Sequence, residues 1–557
     1  MSIPRFSWHP QARHLLRTLF KLECLRNAQE AAIAHVMSER PTIAIMPTGS
    51  GKSLCYQLPA LLLPGCTLVV SPLIALMKDQ CDKLQTLGIA AFQLNSALSA
   101  EEIDAAEQAI AAGKAKIVFI TPERLATEAF LALITTQTVS LLAVDEAHCI
   151  SQWGHDFRPA FLEIGRVAKR LGNPRLLALT ATAPDQVVED IAEQLGMKHP
   201  AVVDSGVFRP NLYYRVEQVV NDEEKLQRVL SLVAEASGYG IVYCATVAAV
   251  EAVYQALMEA GESVTRYHGR LSAKARHENQ DAFMDGQVRV MVATNAFGLG
   301  IDKSDIRFVI HYQMPSGLDA YYQESGRGGR DGGTCDCVLL YQYRDKTVQR
   351  FFMAGRYPSF DAVEAIYRAL LNPPQGGTAW TMESLCDHLD CPRSKLQVAL
   401  SLLRREGVVK QDRRGRLKLS RSNIDSTTLE ALMAAYQEKR EYDKTMLEQM
   451  VFYGQTGYCR WRVLLEHFGE QESIESCGHC DNCRAMASQR QIELPVQPKD
   501  PSIDADLPNR PRFNVGDRVR VPRYGVGKVM AFDSSTVTVA FRHDQNRCFH
   551  ADYVKAA

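Results

Sequence analysis

Short apolar runs alternate with segments of helical periodicity from Pro41 to about Asp345. The apolar runs include CTLVVSPL, AKIVFITPE, SLLAVDEAH and RLLALTATA, then GIVYCAT, VRVMVATNA and IRFVIHYQ. Continuous apolar strands separated by amphipathic helices are typical of doubly wound parallel sheets. Because the segment DSGVFRPNLYYRV at 204–216 interrupts the alternation, we predict an α/β fold with two such domains, residues 1–205 and 206–345.

The pattern changes after residue 345. Helical periodicity in DAVEAIYRALL, MESLCDHLD and RSKLQVALSLLRREG precedes VVKQDRRGRLKLS, a basic hairpin with glycine at its turn. Three helices and a hairpin predict a winged helix at 346–425 whose third helix and wing bind DNA. A winged helix that only packs against protein, with a solvated basic face, is the alternative. The wing carries Arg413, Arg414 and Arg416.

Three further segments follow the predicted winged helix. A long amphipathic pattern predicts a brace helix at 426–458, and clustered cysteines mark a module at 459–485. Four prolines indicate a linker at 486–510. At 511–557, β-branched residues alternate with polar ones between glycine turns, which predicts a five-stranded SH3/Tudor-like β-barrel.

Composition narrows the possible partners. The chain has 557 residues, 46% of them hydrophobic, and a net charge of −1, so any nucleic-acid contact must rely on local basic patches. One such patch, residues 392–421, has ten Lys/Arg against two acids. No apolar run approaches the roughly 20 residues that span a bilayer, and the first residues lack a signal-peptide core. We expect a cytoplasmic protein without a membrane partner.

The stretch AIMPTGSGKSLCYQLPA, residues 44–60, has the chemistry of a phosphate-binding loop. A buried strand leads into small residues and then a helix, so backbone N–H groups converge on an anion. Lys52 would reach the β- and γ-phosphates, and the Ser53 hydroxyl would ligate Mg²⁺. An ordinary glycine-rich turn is the alternative. The loop that would cradle the phosphates consists of Thr48, Gly49, Ser50 and Gly51.

A pair of carboxylates ends another predicted strand. Asp145 and Glu146 close the run LLAVDEAHCI, at the strand end where open α/β sheets bind ligands. Asp145 is suited to hold the metal ion beside Ser53. Glu146 is suited to orient or deprotonate the attacking water. We include His148, the last residue of the DEAH tetrapeptide, among the candidate catalytic residues.

Four of the fifteen cysteines form a second candidate site. Cys459, Cys477, Cys480 and Cys483 have the spacing C-x₁₇-C-x₂-C-x₂-C, which suits a tetrahedral zinc site. A redox CxxC pair is the alternative, though it needs only two cysteines. His479 lies within the loop and is expected to point outward.

These motifs resemble, in order, those of RecQ-family DNA helicases of superfamily 2. PTGSGKS without a glycine at Met46 is the superfamily form, and CISQWGHDFRP, at 149–159, resembles the family's aromatic-rich loop. SPLIALMKDQ and TPERL are similar to motifs that grip the DNA backbone. LTATA resembles the motif that links hydrolysis to DNA through Thr180 and Thr182. The resemblance implies base recognition by Gln29 and Arg26, and DNA contacts by Trp153, His155, Phe157 and Arg158.

The second domain extends the resemblance. VATNAFGLGIDKSDIRFVIH and YYQESGRGGRDG match the last two family motifs, which implies that Arg327 and Arg330 face the γ-phosphate. Arginines supplied from a second domain make hydrolysis depend on closure of the cleft. A solvated arginine pair is the alternative. Two residues depart from the family pattern, Val247 and Asp302.

The resemblance implies two RecA-like motor domains that use ATP and Mg²⁺, a zinc module holding Zn²⁺, and 3′ to 5′ unwinding of DNA in repair or recombination. Single-stranded and forked duplex DNA are the implied substrates. A winged helix placed before the zinc module resembles the bacterial RecQ-like group RqlH. The terminal barrel is similar to one that ends some superfamily 1 helicases and binds RNA polymerase.

Three alternatives to an autonomous DNA helicase remain open at this point. A P-loop small-molecule kinase would need only one α/β domain and no QESGRGGRDG, so the sequence disfavours it. A translocase recruited by a protein partner would have weak unwinding of its own. An RNA helicase would share the phosphate contacts.

Overall fold

The computed structural model describes residues 9–151, 158–298, 303–357, 359–372, 379–391, 393–405, 407–412, 415–421, 426–470, 474–492, 514–521, 525–532, 536–541, 545–550 and 554–557. The chain divides into two compact units, Met1–Gln489 and Arg490–Ala557. Several residues of interest lie outside the described residues: Trp153, His155, Phe157, Asp302, Arg413 and Arg414.

A seven-stranded parallel sheet forms the first part of the larger unit, with strand order β3-β4-β2-β5-β6-β1-β7. Its strands are β1 (Thr42–Ile45), β2 (Cys66–Val70), β3 (Ala91–Leu94), β4 (Ile117–Ile120), β5 (Val139–Val144), β6 (Arg175–Thr180) and β7 (Ala201–Asp204). Its helices are α1 (Pro10–Thr18), α2 (Asn27–Met37), α3 (Leu54–Leu62), α4 (Ile74–Thr86), α5 (Ala100–Ala111), α6 (Pro122–Leu125), α7 (Glu128–Ile134), α8 (Ile164–Arg170) and α9 (Asp185–Leu195). Apolar clusters fill both faces of this sheet, as the continuous apolar strands predict.

A second parallel sheet has six strands in the order β10-β11-β9-β12-β13-β8. Its strands are β8 (Leu212–Gln218), β9 (Tyr239–Tyr243), β10 (Val264–Tyr267), β11 (Val290–Ala293), β12 (Ile306–His311) and β13 (Cys335–Tyr341). Its helices are α10 (Asp222–Glu235), α11 (Val247–Glu259), α12 (Ala273–Met284) and α13 (Leu318–Ser325). The prediction of two parallel-sheet domains is confirmed, and residues 205–211 connect β7 to β8.

The remainder of the larger unit is mostly helical. A two-stranded antiparallel hairpin follows the helices α15 to α17 and shares their apolar cluster. The elements are α14 (Asp345–Arg356), α15 (Phe360–Leu371), α16 (Met382–Leu389), α17 (Arg393–Arg405), β14 (Val409–Gln411), β15 (Leu417–Leu419), α18 (Ser426–Gln455), α19 (Arg460–His467) and α20 (Asp481–Ile492). The 30-residue helix α18 occupies the predicted brace. Its residues Leu447, Met450 and Tyr453 pack into the core on one face of the second sheet.

The smaller unit contains one antiparallel sheet in the order β19-β18-β17-β16-β20. Its strands are β16 (Arg518–Val521), β17 (Gly525–Phe532), β18 (Thr536–Phe541), β19 (Gln545–His550) and β20 (Lys555–Ala556). A small valine-rich cluster forms its core. Within the described ranges, no helix of the chain combines the length and apolar character needed to cross a membrane.

Candidate nucleotide site and cysteine cluster

The phosphate loop, residues 47–53, joins β1 to α3. Gly49 and Gly51 have φ angles of 83° and 84°, a region that side-chain-bearing residues seldom adopt. Ser53 immediately precedes α3, whose first N–H groups bond back to the carbonyls of Gly51, Lys52 and Ser53, whereas no described backbone carbonyl accepts from the N–H groups of Gly49, Gly51, Lys52 or Ser53 themselves. The loop therefore presents its backbone donors to an anion at the positive end of a helix.

Two residues at the start of α2 hold this loop from behind. The Arg26 Nη1 atom donates to the Gly49 carbonyl at 3.2 Å. The amide of Gln29 donates to the carbonyls of Ser50 and Gly51 at 3.2 and 3.1 Å. Recognition of the base by Arg26 and Gln29 remains a prediction from the family resemblance. The observed hydrogen bonds show that both side chains bind the phosphate loop.

Asp145 and Glu146 lie immediately after β5, as predicted. Asp145 is buried, and the Ser71 hydroxyl at the end of β2 donates to its carboxylate at 3.4 Å. Burial and the adjacent Glu146 charge raise the pKa of Asp145 to about 7, while Lys52 opposes the shift. A carboxyl group in this environment gains strongly from a nearby cation, so the donors fit a divalent metal beside Ser53.

Glu146 has left-handed backbone angles, φ 49° and ψ 46°. Non-glycine residues held there are strained, and such strain is concentrated at functional sites. Its carboxylate lies 3.4 Å from His148 Nδ1, and that nitrogen also lies 3.1 Å from the Thr180 hydroxyl. Thr180 donates in turn to the Thr182 carbonyl at 2.9 Å. Both threonines are buried, so a polar chain runs inward from Glu146 to β6.

The arginine loop, residues 326–330, follows α13 of the second sheet and contacts the first. Arg327 is buried and donates to the carbonyl of Gly298, which follows β11. The Arg330 side chain lies against Gly49, where an added Cβ would meet Arg330 Cγ at 3.0 Å. Gly49 therefore provides both the backbone angle and the space that this contact needs.

A cavity of about 260 Å³ opens between the two sheets. The buried Nε atom of Arg327 has no hydrogen-bond partner among the described residues. Cationic side chains from both sheets thus face one volume that suits an anionic nucleotide. Its lining includes Thr48, Gly49, Gly51, Lys52, Ser53, Asp145 and Glu146 from the first sheet, and Gly298, Ser304, Gln323, Arg327 and Arg330 from the second.

The four predicted cysteines lie together. The sulfur atoms of Cys459, Cys477, Cys480 and Cys483 are all within 4.8 Å of one another. Hydrogen bonds from Cys477 and Cys480 lower the pKa of Cys459, and its thiolate raises the pKa of the other two. Backbone N–H groups also donate to three of the sulfurs at 3.2 to 3.4 Å. Four thiols that compete for negative charge fit a Zn²⁺ ion.

The histidine of this cluster is directed elsewhere. His479 Nδ1 lies 2.8 Å from the Cys477 carbonyl oxygen. Its ring packs edge-on against Tyr213 of β8, 5.0 Å between centroids. The geometry therefore leaves four sulfurs as the donor set.

The cysteine cluster is attached to β8, the edge strand of the second sheet. Asp481 accepts from the Val216 backbone at 2.8 Å and pairs with the buried Arg460 at 2.9 Å. The Trp461 indole donates to the Leu212 carbonyl at 3.2 Å. These contacts cover an edge that would otherwise be open for pairing.

The predicted DNA-binding residues are only partly described. The Arg158 Nη1 atom donates to the Pro72 carbonyl at 3.3 Å. Arg416, on the hairpin, pairs with Asp412 at 2.7 Å and is 44% exposed. Neither arrangement tests a contact with DNA.

Several residues near the cavity were missed by sequence reasoning. Ser71 holds Asp145, while Arg209 and Asn211 bind the arginine loop from the connection between the sheets. Ser71 lies in SPLIALMKDQ, a stretch that the family resemblance assigns to DNA contact. Arg209 and Asn211 lie in the segment 204–216, which the sequence pattern marks only as a domain boundary, and no local periodicity distinguishes them.

Comparison with known families agrees with this arrangement. The DEAD/DEAH box helicase family matches residues 26–191, and the helicase conserved C-terminal domain matches 224–332. The RecQ zinc-binding family matches residues 423–484, which contain the cysteine cluster.

Solved structures show the same fold at low identity. The DUF1998 helicase MrfA bound to DNA is 19% identical, with a TM-score of 0.52, and the match covers 77% of this chain and 64% of that one. Mycobacterium smegmatis helicase Lhr bound to single-stranded DNA and AMP-PNP is 22% identical, with a TM-score of 0.50 and coverage of 75% and 61%.

Relatives of known name are more similar in sequence. ATP-dependent DNA helicase RecQ of Bacillus subtilis is 36% identical over 475 residues, which cover 85% of this chain and 67% of the relative. The probable ATP-dependent DNA helicase RecS of B. subtilis is 38% identical, with coverage of 64% and 72%. RecQ of Haemophilus influenzae is 40% identical, but the chain spans only 54% of its length. The chain belongs to the RecQ family of ATP-dependent DNA helicases.

Proposed function

We propose that this chain is a DNA helicase that hydrolyses ATP between its two parallel sheets and thereby moves along single-stranded DNA and unwinds duplexes. The observation that carries the proposal is the cavity of about 260 Å³ lined by Lys52 and Asp145 of the first sheet and by Arg327 of the second. A nucleotide bound there touches both sheets, so its hydrolysis changes their separation.

Each lining residue has a proposed role in hydrolysis. Lys52 and the phosphate loop bind the phosphates, and Ser53 with Asp145 would hold Mg²⁺, which would neutralise charge on the phosphate oxygens. Glu146 takes the proton of the attacking water. Arg327 and Arg330 stabilise the charge that develops on the transferred phosphoryl group. This last step requires the second sheet to be near the first.

The proposed link to DNA begins at the same carboxylate. Glu146, His148, Thr180 and Thr182 are joined by short contacts, which supports a path from the water-activating group to the backbone after β6. DNA contacts by Trp153, His155, Phe157 and Arg158 remain a proposal from the family resemblance, as do 3′ to 5′ polarity and a role in repair or recombination.

The helices α15 to α17 with their hairpin are proposed to form a winged helix whose basic wing binds duplex DNA. Support comes from Arg416 and Lys418, both exposed on the hairpin. Bound Zn²⁺ at the four cysteines is proposed to stabilise the module that covers β8. Sulfur spacing, converging N–H donors and the RecQ zinc-binding match support that ion.

A second function is proposed for the smaller unit. Its antiparallel sheet has its own core, and we propose that it closes into an SH3/Tudor-like barrel that binds a protein partner, with RNA polymerase the candidate that the resemblance suggests. Partner-dependent recruitment would then supplement the motor. Removing residues 490–557 should abolish binding to purified RNA polymerase without changing ATP turnover, and retained binding would reject this role.

The decisive experiment is ATP turnover by the full chain with and without single-stranded DNA, single-stranded RNA or forked DNA. The helicase proposal expects strong stimulation by DNA, weaker stimulation by RNA and separation of the fork only with hydrolysable ATP. Turnover that ignores DNA, or a preference for RNA, would reject it. Low turnover that rises on adding the partner would favour recruitment.

A further inference from the structure

The connection between the two sheets contains an arginine that binds the arginine loop directly. Arg209 lies between β7 and β8, and its guanidinium donates to the carbonyls of Gly326, Gly328 and Gly329 at 2.6, 2.8 and 2.7 Å. A longer contact of 3.5 Å reaches the Thr48 carbonyl of the phosphate loop. One side chain therefore touches both loops that face the cavity.

The first of the three carbonyls, that of Gly326, has a physical reason to need this cation. Gly326 is the C-terminal cap of α13, and carbonyls at a helix C-terminus lack partners within the helix. The helix dipole also places negative charge there, which favours a cation. A planar guanidinium with five N–H donors can satisfy several carbonyls at fixed positions, whereas a lysine ammonium cannot reproduce that geometry.

The same carbonyls flank the two arginines that face the nucleotide cavity. Arg327 lies between Gly326 and Gly328, and Arg330 directly follows Gly329. Both arginines line the cavity, whereas Arg209 is absent from its lining. Arg209 thus acts through the backbone of the loop and not on the nucleotide.

A second side chain of the connection binds the loop from its other end. The Asn211 amide donates to the carbonyls of Gly329 and Gly333, each at 2.8 Å. The Tyr322 hydroxyl of α13 donates to the Val207 carbonyl at 2.7 Å. The connection is thus fixed to the arginine loop at several points, while it is also the covalent link to the first sheet.

We propose that Arg209 is the positioning residue of the arginine loop, which holds Arg327 and Arg330 toward the phosphate loop and couples their placement to the connection between the sheets. The inference rests on the proposed function of the cavity. A change in the angle between the sheets moves the connection, and Arg209 transfers that movement to the loop that completes the hydrolytic site.

The test compares full-length Arg209→Gln and Arg209→Lys with the wild type. Misplacement of a catalytic group by about 1 Å can cost roughly 100-fold in rate, so DNA-stimulated kcat should fall by about that factor. KM for ATP and affinity for ADP should change less than about threefold, because the phosphate loop is intact. Affinity for ADP–aluminium fluoride, which imitates the transferred phosphoryl group, should fall with kcat. Arg209→Lys should not restore turnover.

A double variant separates positioning from general stability. Arg209→Gln combined with Arg327→Ala should lose clearly less than the sum of the two single losses, because Arg209 acts in part through Arg327. Arg307→Gln is the matched control: it removes the exposed ion pair with Asp331 just beyond the loop and should leave kcat unchanged.

Turnover within threefold of wild type in both Arg209 variants would overturn the inference, as would fully additive losses in the double variant. If Arg209→Gln does not fold, Arg209→Lys gives the same comparison with the charge retained. A wild type whose turnover ignores DNA would overturn the proposed function instead, while selective loss of ADP–aluminium fluoride binding in the variants would still support positioning.

Discussion

Replacing Glu146 with Gln is the sharpest test of the hydrolytic assignment. The change keeps the size of the side chain and its hydrogen-bonding capacity but removes the base. The backbone at this residue is left-handed, φ 49°, and the cost of that conformation is similar for Glu and Gln. The fold around the cavity should therefore be preserved.

The size of the effect follows from what is removed. General base catalysis contributes roughly 10² to 10⁴ in rate, or about 3 to 5 kcal/mol of barrier at about 1.4 kcal/mol for each factor of ten. Binding should be retained. Burial and the Glu146 charge both raise the pKa of Asp145, so removing that charge lowers it and favours the ionised form near neutral pH.

The assay measures phosphate release with saturating single-stranded DNA, together with the binding of a fluorescent ATP analogue. We expect turnover to fall by at least about 100-fold with analogue affinity unchanged within a factor of about three. Glu128→Gln is the matched control, since Glu128 is 81% exposed and pairs with Arg170. Exposed ion pairs contribute little, so this variant should match the wild type.

Near wild-type turnover by Glu146→Gln would refute the assignment of the base. Loss of nucleotide binding in parallel with turnover would also contradict the assignment, because Glu146 would then contribute to binding ATP and not only to activating the attacking water. His148, 3.4 Å away, would then be the next candidate for the base.

Three other predictions concern zinc, the wing and the support of the cysteine cluster. Cys480→Ser should lose zinc by elemental analysis and become unstable, since structural zinc sites contribute about 10 to 16 kcal/mol to local folding; a zinc-free wild type would contradict this. Asp481→Asn removes the charge that pairs with Arg460 and should destabilise the chain by about 2 kcal/mol, measured as an earlier thermal transition; an unchanged transition would show that the pair contributes nothing. Replacing the wing arginines with Ala should reduce the slope of log K for DNA binding against log salt concentration by about two to three, with ATP affinity unchanged. Identical DNA binding at every salt concentration would show that the wing does not contact DNA. Those arginines are Arg413, Arg414 and Arg416.

The sequence predicts the parts of the fold that local pattern determines. The strand expected before the phosphate loop is β1 (Thr42–Ile45), and the brace helix expected at 426–458 runs from Ser426 to Gln455. Both features arise from continuous apolar or amphipathic runs. The three helices and the hairpin expected within 346–425 are present as α15 to α17 with β14 and β15, while their identity as a winged helix stays a prediction.

The parts that sequence reasoning missed depend on contacts between distant residues. Arg209 meets carbonyls 117 to 120 residues later in the chain, and Trp461 meets a carbonyl 249 residues away. No periodicity within either segment encodes its partner. In a single sequence, a polar connection such as FRPN looks like an ordinary boundary.

The long helix and the cysteine cluster also determine when the second sheet can be completed during synthesis. Residues Leu447, Met450 and Trp461 fill the apolar face of a sheet whose last strand ends at Tyr341. Translation at roughly 5 to 20 residues per second delivers that covering layer on the order of ten seconds after the sheet itself. Until then α12 and α13 cover only part of that apolar face, and the rest is exposed on the nascent chain. Messages truncated between these points should therefore yield aggregating products, and a fragment that stops at residue 345 is a poor choice of minimal motor for expression.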